Sequence, residues 1–351
     1  MKASMHPQFD QLMKEATALT RAGDLQAAMA AIATAMQPPQ SATAADAEVI
    51  DVEARVVHAE PTPASAHEAH APGQGERFIS GQFSHRAGNR DYRLFVPAIR
   101  NGKPRALVLM LHGCTQNPDD FARGTRMNTL GAAHEVLVLY PAQTRQANAQ
   151  GCWNWFKHNH QTRERGEPAL LAAMTQHIAA SHGVDPAHIY VAGLSAGGAM
   201  AAILAATHPD VFAAAGIHSG LAAGVARDLP AALAAMQGQA SVATTGGVRS
   251  SVPVIVFHGD ADATVHPRNA DLVVDAHRSD AVHVDAQAAK AVGGRSCTRR
   301  LHRDAQGRVL IEHWTVHGAG HAWSGGDPSG SYTDARGPDA SAEMMRFFLE
   351  H

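Results

Sequence analysis

Apolar positions near the start of the chain recur at helical spacing. Phe9, Leu12, Met13, Ala16 and Leu19 follow i, i+3, i+4, i+7 and i+10. The run "AGD" interrupts them, with Asp24 placed as an N-cap, and Leu25, Ala28, Met29, Ile32 and Met36 renew the stripe. This pattern predicts a helical hairpin over residues 1–36. Two such stripes are too small to bury one another fully, so the hairpin is expected to pack on the rest of the chain or on a partner. Periodicity then disappears. Residues 37–75 are rich in Pro, Ala, Ser, Glu and His and read as a flexible linker, with His67 and His70 solvated.

From residue 76 onward the pattern changes to short continuous apolar runs separated by helical ones. "YRLFVP" (92–97), "ALVLMLHG" (106–113), "VLVLYP" (136–141), "HIYVAGL" (188–194), "VPVIVFHG" (252–259) and "RVLIEHWTVHG" (308–318) predict strands. "PALLAAMTQHIAASHG" (168–183), "AGGAMAAILAATHP" (196–209) and "DASAEMMRFFLE" (339–350) predict helices. Strands that are apolar on both faces, alternating with helices, predict an α/β domain over 76–351: a mostly parallel central sheet covered on both sides.

Composition narrows the function classes. Hydrophobic residues make up 45% and charged residues 17%, which suits a globular chain. A formal net charge of −3 offers no basic surface, so no nucleic-acid partner is expected. No apolar run approaches the ~20 residues a membrane helix needs, so no membrane span is expected. The segment "MKASMHPQFDQLMKEATALT" lacks the apolar stretch of a secretory signal, which predicts a cytoplasmic protein. The three cysteines, Cys114, Cys152 and Cys297, form no CxxC, which removes the zinc-site and thioredoxin readings. Two readings stay open for them: three reduced thiols, as cytosolic chains usually hold, or a Cys114–Cys152 bridge joining two loops.

The chemistry centres on "VAGLSAGGAM" (191–200). Strand, sharp turn and helix follow in that order around Ser195, and Gly193 and Gly197 stand where side chains would strike neighbouring backbone. A serine hydroxyl is a weak nucleophile and needs a base and a place for developing negative charge. In this class the acid and then the histidine follow the serine along the chain. "VIVFHGDADATVHP" offers Asp260 and Asp262. Asp262 lies further past the strand end and is favoured as the acid, with Asp260 as a loop cap. "VHGAGHAWSGG" offers His317 and His321. His321, in a glycine-bounded loop, is favoured as the base, and position decides this because the chain has 23 histidines. The oxyanion hole is expected from the Ala196 N–H and from the loop after "LVLMLHG", at Cys114 or alternatively Thr115. No cofactor and no metal are expected, and "SGGDPSGSYTDARGPD" lacks EF-hand spacing.

"LHGCTQNPDDFA", "GCWNWF", "GLSAGGAM", "HGDADATVHP" and "GAGHAWSGGDPSGSYTDARGPDASAEMMRFF" occur in that order. Together they resemble the poly(3-hydroxybutyrate) depolymerase family of esterases, related to acetylxylan and feruloyl esterases, over about residues 78 to 350. The resemblance implies an α/β-hydrolase fold and carboxylic-ester hydrolysis. It carries over Ser195, Asp262, His321 and the backbone of Cys114. A hairpin and linker before the catalytic part resemble unsecreted members of the family. Secreted polymer-degrading members differ, carrying a secretion signal and a polymer-adsorbing domain, and they set the extracellular alternative for location. The expected substrates are therefore amorphous poly(3-hydroxybutyrate), its oligomers and short-chain esters. The alternatives are a carbohydrate esterase of the acetylxylan or feruloyl type, and a non-catalytic binding protein on the same fold. The hairpin is expected to dock on a granule surface or granule protein. Trp153, Trp155 and Trp323 are candidates to line an apolar substrate site, with core packing as the alternative for each; if their segment is extended, Trp153 and Trp155 point to opposite sides and at most one of them faces the substrate.

Overall fold

Twelve strands and seven α-helices run through the described residues in the order strand-rich edge, alternating strand and helix, strand-rich edge. The structure, a computed structural model, describes residues 75–100, 102–240, 249–277, 283–290 and 294–351. The expected hairpin over 1–36, and all but the last residue of the expected linker, lie outside the described residues.

The strands are β1 (Arg77–His85), β2 (Gly88–Val96), β3 (Ala106–Leu111), β4 (Val136–Pro141), β5 (Ile189–Leu194), β6 (Ala214–His218), β7 (Val254–Gly259), β8 (His283–Lys290), β9 (Ser296–Arg303), β10 (Val309–Val316), β11 (Trp323–Ser324) and β12 (Thr333–Asp334). The first ten form one sheet in the order β1-β2-β4-β3-β5-β6-β7-β10-β9-β8. From β4 to β10 each neighbouring pair is parallel. The pairs β1–β2, β2–β4, β10–β9 and β8–β9 are antiparallel. Every residue of β3, β4, β5, β6 and β7 is buried, because helices cover both faces of the sheet.

The helices are α1 (Pro118–Thr125), α2 (Met127–His134), α3 (Gly166–His182), α4 (Ala196–Thr207), α5 (Leu229–Met236), α6 (Arg268–His277) and α7 (Ala340–Leu349). Leu107, Leu109 and Leu111 of β3 pack with residues of α3, α4, α5 and α6 in one core. Ala106, Val108 and Met110, on the opposite face, pack with Phe121, Met127, Met344, Phe347 and Phe348 of α1, α2 and α7. The period-2 alternation of β3 thus divides two cores. This is the α/β-hydrolase arrangement, with antiparallel strands added at both edges of the parallel sheet.

All six predicted strands and three predicted helices are present, with ends within two residues except for "YRLFVP", which starts four residues earlier as β2. The pattern missed β6. Its "AAGIH" carries little strand propensity, but small residues are required there. A Cβ on Gly216 would lie 2.7 Å from the Met344 sulfur of α7 and 3.1 Å from Phe348. Between the two readings of the cysteines, the structure takes the second: Cys114 and Cys152 are joined by a disulfide, and Cys297 is buried in β9. No helix among the described residues is long and apolar enough to cross a membrane.

Candidate active site

Parallel neighbours deliver their carboxyl ends to one edge of the sheet, where open α/β sheets collect site residues. Cys114 follows β3, Ser195 follows β5, Asp262 follows β7 and His321 follows β10.

Ser195 has φ 57° and ψ −118°, in the left-handed half of backbone space, between the last residue of β5 and the first of α4. Such a conformation costs of order 1–3 kcal/mol and persists only where the surroundings impose it. Here β3, β5 and α4 impose it. A Cβ on Gly193 would run into the Gly197 carbonyl, and one on Gly197 into the Leu111 and His112 oxygens. The Ser195 N–H donates to the His218 carbonyl at 2.9 Å, which fixes the turn from the β6 side.

The loop after β3 runs beside the serine, since a Cβ on Gly113 would lie 3.6 Å from Ser195 Cβ. Its amides are unequally employed. Gly113 N–H donates to Gln116 Oε1 at 2.9 Å and Thr115 N–H to the Gln150 carbonyl at 2.9 Å. Among the described residues the Cys114 N–H has no acceptor. Ala196, the first residue of α4, likewise has an amide that no intrahelical carbonyl takes. Of the two expected donors, Cys114 and not Thr115 has a backbone N–H left uncommitted among the described residues.

Two acid–histidine pairs stand side by side after β7 and β10. His321 Nδ1 donates to Asp262 Oδ2 at 2.7 Å. Asp262 Oδ1 accepts from the Thr264 and Val265 amides, each at 2.9 Å. The Asp262 side chain is fully buried, and His258 Nε2 lies 3.4 Å from it. Burial opposes its ionisation, but hydrogen bonds from His258 and His321, the His321 charge and the Val265 amide outweigh burial and hold the carboxyl well below the usual range. Asp260 pairs instead with His317 Nδ1 at 2.8 Å and takes the Gly318 amide at 2.6 Å, with both side chains 41% exposed. A Cβ on Gly259 would strike the Ala319 carbonyl, so glycine lets the His321 loop close onto the end of β7.

His218 is a residue the sequence reasoning missed. Its ring is buried, stacks on Trp323 at 5.0 Å and accepts the Ser324 amide on Nε2 at 2.9 Å. One residue thus braces the Ser195 turn through its carbonyl and the His321 loop through its ring. Glu167 was also missed. It is buried and accepts from Asn154 N at 2.7 Å and Asn154 Nδ2 at 2.8 Å, and pairs with Arg90 at 3.2 Å. It anchors the "GCWNWF" loop that the disulfide joins to Cys114. Neither residue belongs to a motif for its chemistry: His218 ends the strand that the pattern did not reveal, and Glu167 sits in a helix start.

The tryptophans require a correction. Trp153, Trp155 and Trp323 are buried, at 0%, 5% and 1% exposure. Trp153 and Trp155 pack in the same core, because their segment is a loop and not an extended strand that would send them apart. Trp153 Nε1 donates to the His112 carbonyl at 3.1 Å and Trp323 Nε1 to Ser341 Oγ at 3.0 Å. They hold the walls of the site in place and present no open face to a substrate.

Burial also sets an acid limit on the fold. It pushes the imidazoles of His218, His277 and His313 down to about 3, 4 and 4. Their folded values are depressed, so the stability they contribute is complete above the unfolded value near ~6.5 and is lost as pH falls from there toward ~4. Tm is expected to be flat from pH 7 to 8 and to drop progressively from pH 6.5 to 4.5. The measurement is thermal unfolding across that range, and a Tm that rises below pH 6 contradicts the assignment.

The family described as Esterase PHB depolymerase matches residues 90–299 of this chain. Poly(3-hydroxyalkanoate) depolymerase C of Paucimonas lemoignei is 32% identical over 227 residues, which are 61% of this chain and 54% of that protein. Feruloyl esterase B of Neurospora crassa is 31% identical over 193 residues, 50% of this chain and 65% of that protein. The chain therefore spans between about half and two thirds of the length of these relatives. Among solved structures, an acetyl xylan esterase from Aspergillus awamori superposes with a TM-score of 0.60 at 19% identity, covering 79% of this chain and 100% of the other. At that identity the likeness concerns the fold.

Proposed function

The chain belongs to the Esterase PHB depolymerase family, and from that premise we propose that it hydrolyses carboxylic esters through an acyl-enzyme on Ser195. The observation that carries the reading is the His321–Asp262 pair at 2.7 Å at the same sheet edge as the strained Ser195 turn. Ser195 Oγ attacks the carbonyl carbon and its proton passes to His321 Nε2, the nitrogen not engaged by Asp262. The carbonyl oxygen becomes an oxyanion held by the Cys114 and Ala196 amides. The C–O bond to the alcohol then breaks, and the alcohol leaves with the proton from His321. Water attacks the acyl-enzyme, gives a proton to His321 and releases the acid, and the proton returns to Ser195.

The proposed substrates are amorphous poly(3-hydroxybutyrate), its oligomers and short-chain esters. The resemblance to a feruloyl esterase supports carbohydrate-side-chain esters as the second reading. The Cys114–Cys152 bridge supports an oxidising compartment, against the cytoplasmic expectation, because cytosolic thiols are kept reduced. The test has two parts. A fluorophosphonate is expected to label Ser195, identified by peptide mass, and absence of labelling removes the serine mechanism. Initial rates are then compared on amorphous polymer, soluble hydroxybutyrate trimer, acetylxylan and methyl ferulate. Trimer is expected to be cleaved fastest, and a preference for acetylxylan or ferulate transfers the assignment to the second reading.

A further inference from the structure

With the three tryptophans buried, the exposed aromatic surface near the site lies elsewhere. Tyr332 is 47% exposed, one of four large hydrophobic side chains exposed among the described residues. Its φ is 52°, a left-handed conformation that is a marked outlier for a bulky residue. Its hydroxyl meets Thr115 Oγ1 at 3.2 Å, and Thr115 too is left-handed, at φ 65°. Thr115 is the neighbour of Cys114, two residues from the Gly113 that abuts Ser195. On its other side, the Tyr332 carbonyl takes the Trp323 amide at 2.7 Å, in the loop that carries His321. Tyr332 therefore bridges the oxyanion loop and the base loop.

The surroundings hold it there firmly. Ser331 N–H donates to Asp120 Oδ1 at 3.0 Å and Ser331 Oγ donates to Asp120 Oδ2. Gln116 Nε2 donates to the Ser331 carbonyl at 3.0 Å. A Cβ on Gly330 would overlap the backbone of Gly124 in α1, so the segment lies directly on that helix. Two strained residues in mutual contact, on the loop that abuts Ser195 and braced from several sides, indicate a conformation kept for use.

We propose that the exposed ring of Tyr332 is the platform on which the apolar chain of the substrate lies, and that it is a specificity-determining residue for aliphatic polyester and longer alkyl esters. The inference rests on the serine-esterase reading of the same site. The ligand class follows from the groups around the ring. Recognition of a sugar needs polar groups free to bond its hydroxyls. Here Gln116, Asp120, Ser331 and the Thr115 hydroxyl are already bonded to one another or to backbone. Among these groups the apolar ring face is the part left uncommitted, and it gains by covering a hydrocarbon chain.

The test compares the wild type with Tyr332→Gly, Tyr332→Asn and Tyr332→Phe. Gly and Asn fit the left-handed backbone, so they remove the ring with the least strain, and each serves if the other fails to fold. Phe keeps the ring and deletes the hydroxyl bond to Thr115. The quantity measured is the ratio of kcat/KM for soluble hydroxybutyrate trimer to that for p-nitrophenyl acetate, with acetylated xylo-oligosaccharide in a parallel arm. The ringless variants are expected to lower that ratio by about tenfold, in the range that apolar contacts produce in substrate discrimination. Phe is expected to hold the ratio within twofold. An unchanged ratio in Gly and Asn, an equal fall in Phe, or a selective fall on the xylo-oligosaccharide overturns the proposal. Ser195→Ala, assayed alongside, separates the two readings: full activity there refutes the serine mechanism and the platform with it, whereas lost activity there with an unchanged ratio in Tyr332→Gly and Tyr332→Asn overturns the platform alone.

Discussion

Ser195→Ala and His321→Ala are each expected to lower kcat by roughly 10⁴- to 10⁶-fold on p-nitrophenyl butyrate, with much less change in KM. Without Oγ there is no acyl-enzyme. Without the imidazole the hydroxyl keeps its proton and remains a weak nucleophile. Either loss leaves the Cys114 and Ala196 amides in place, so residual activity above the uncatalysed rate is expected from the oxyanion site and substrate binding. The two residues act on one step, so the double variant is expected to be no slower than the worse single variant. A His321→Ala variant within a hundredfold of wild type would remove His321 from the base role. Multiplicative losses in the double variant would show that the two do not share a step.

The central part of this molecule was legible because its physics is repetitive. Buried parallel strands must be apolar on both faces, and the runs at 106–113, 136–141, 188–194 and 252–259 carry that signature without alternation. The elbow was legible because a tight crossing of β3, β5 and α4 admits only glycine at 193 and 197. What escaped was set by tertiary context. Strand β6 is small-residued because α7 presses on Gly216. The outer strands β1, β8 and β9, toward the two ends of the sheet, are partly exposed, so their composition resembles loop. The tryptophans were misread because residue type announces an aromatic and not where it is buried. Tyr332 lay within a Gly, Ser and Asp-rich stretch, beside Thr333, whose pairing with Trp323 no local pattern reveals. His218 was hidden with the strand that ends on it.

The choice between two aspartates two residues apart yields the sharpest comparison. Sequence spacing favoured Asp262, and the structure puts Asp262 beside His321 and Asp260 beside His317. Asp262→Asn is expected to reduce kcat by about 10⁴-fold, through the tautomer of the imidazole. The asparagine oxygen would keep the Thr264 and Val265 amides that Oδ1 now accepts. Its NH₂ would then face His321 Nδ1 and force that nitrogen to accept, which moves the proton to Nε2 and blocks removal of the serine proton. Asp260→Asn disturbs a pair with both side chains 41% exposed, of a kind worth about 0–1 kcal/mol, so activity is expected within a few-fold of wild type. The pH dependence separates them further. Hydrogen bonds hold the Asp262 carboxyl well below the usual range against the opposing effect of burial, so it stays ionised through pH 4 and upward. Wild-type activity above pH 4 is therefore expected to show no loss from protonation of this acid, and Asp262→Asn is expected to stay impaired at every pH tested. The decisive measurement is kcat/KM from pH 5 to 9 for both variants. If Asp260→Asn proves the more damaging, the acid is Asp260, and the base assignment moves with it to His317.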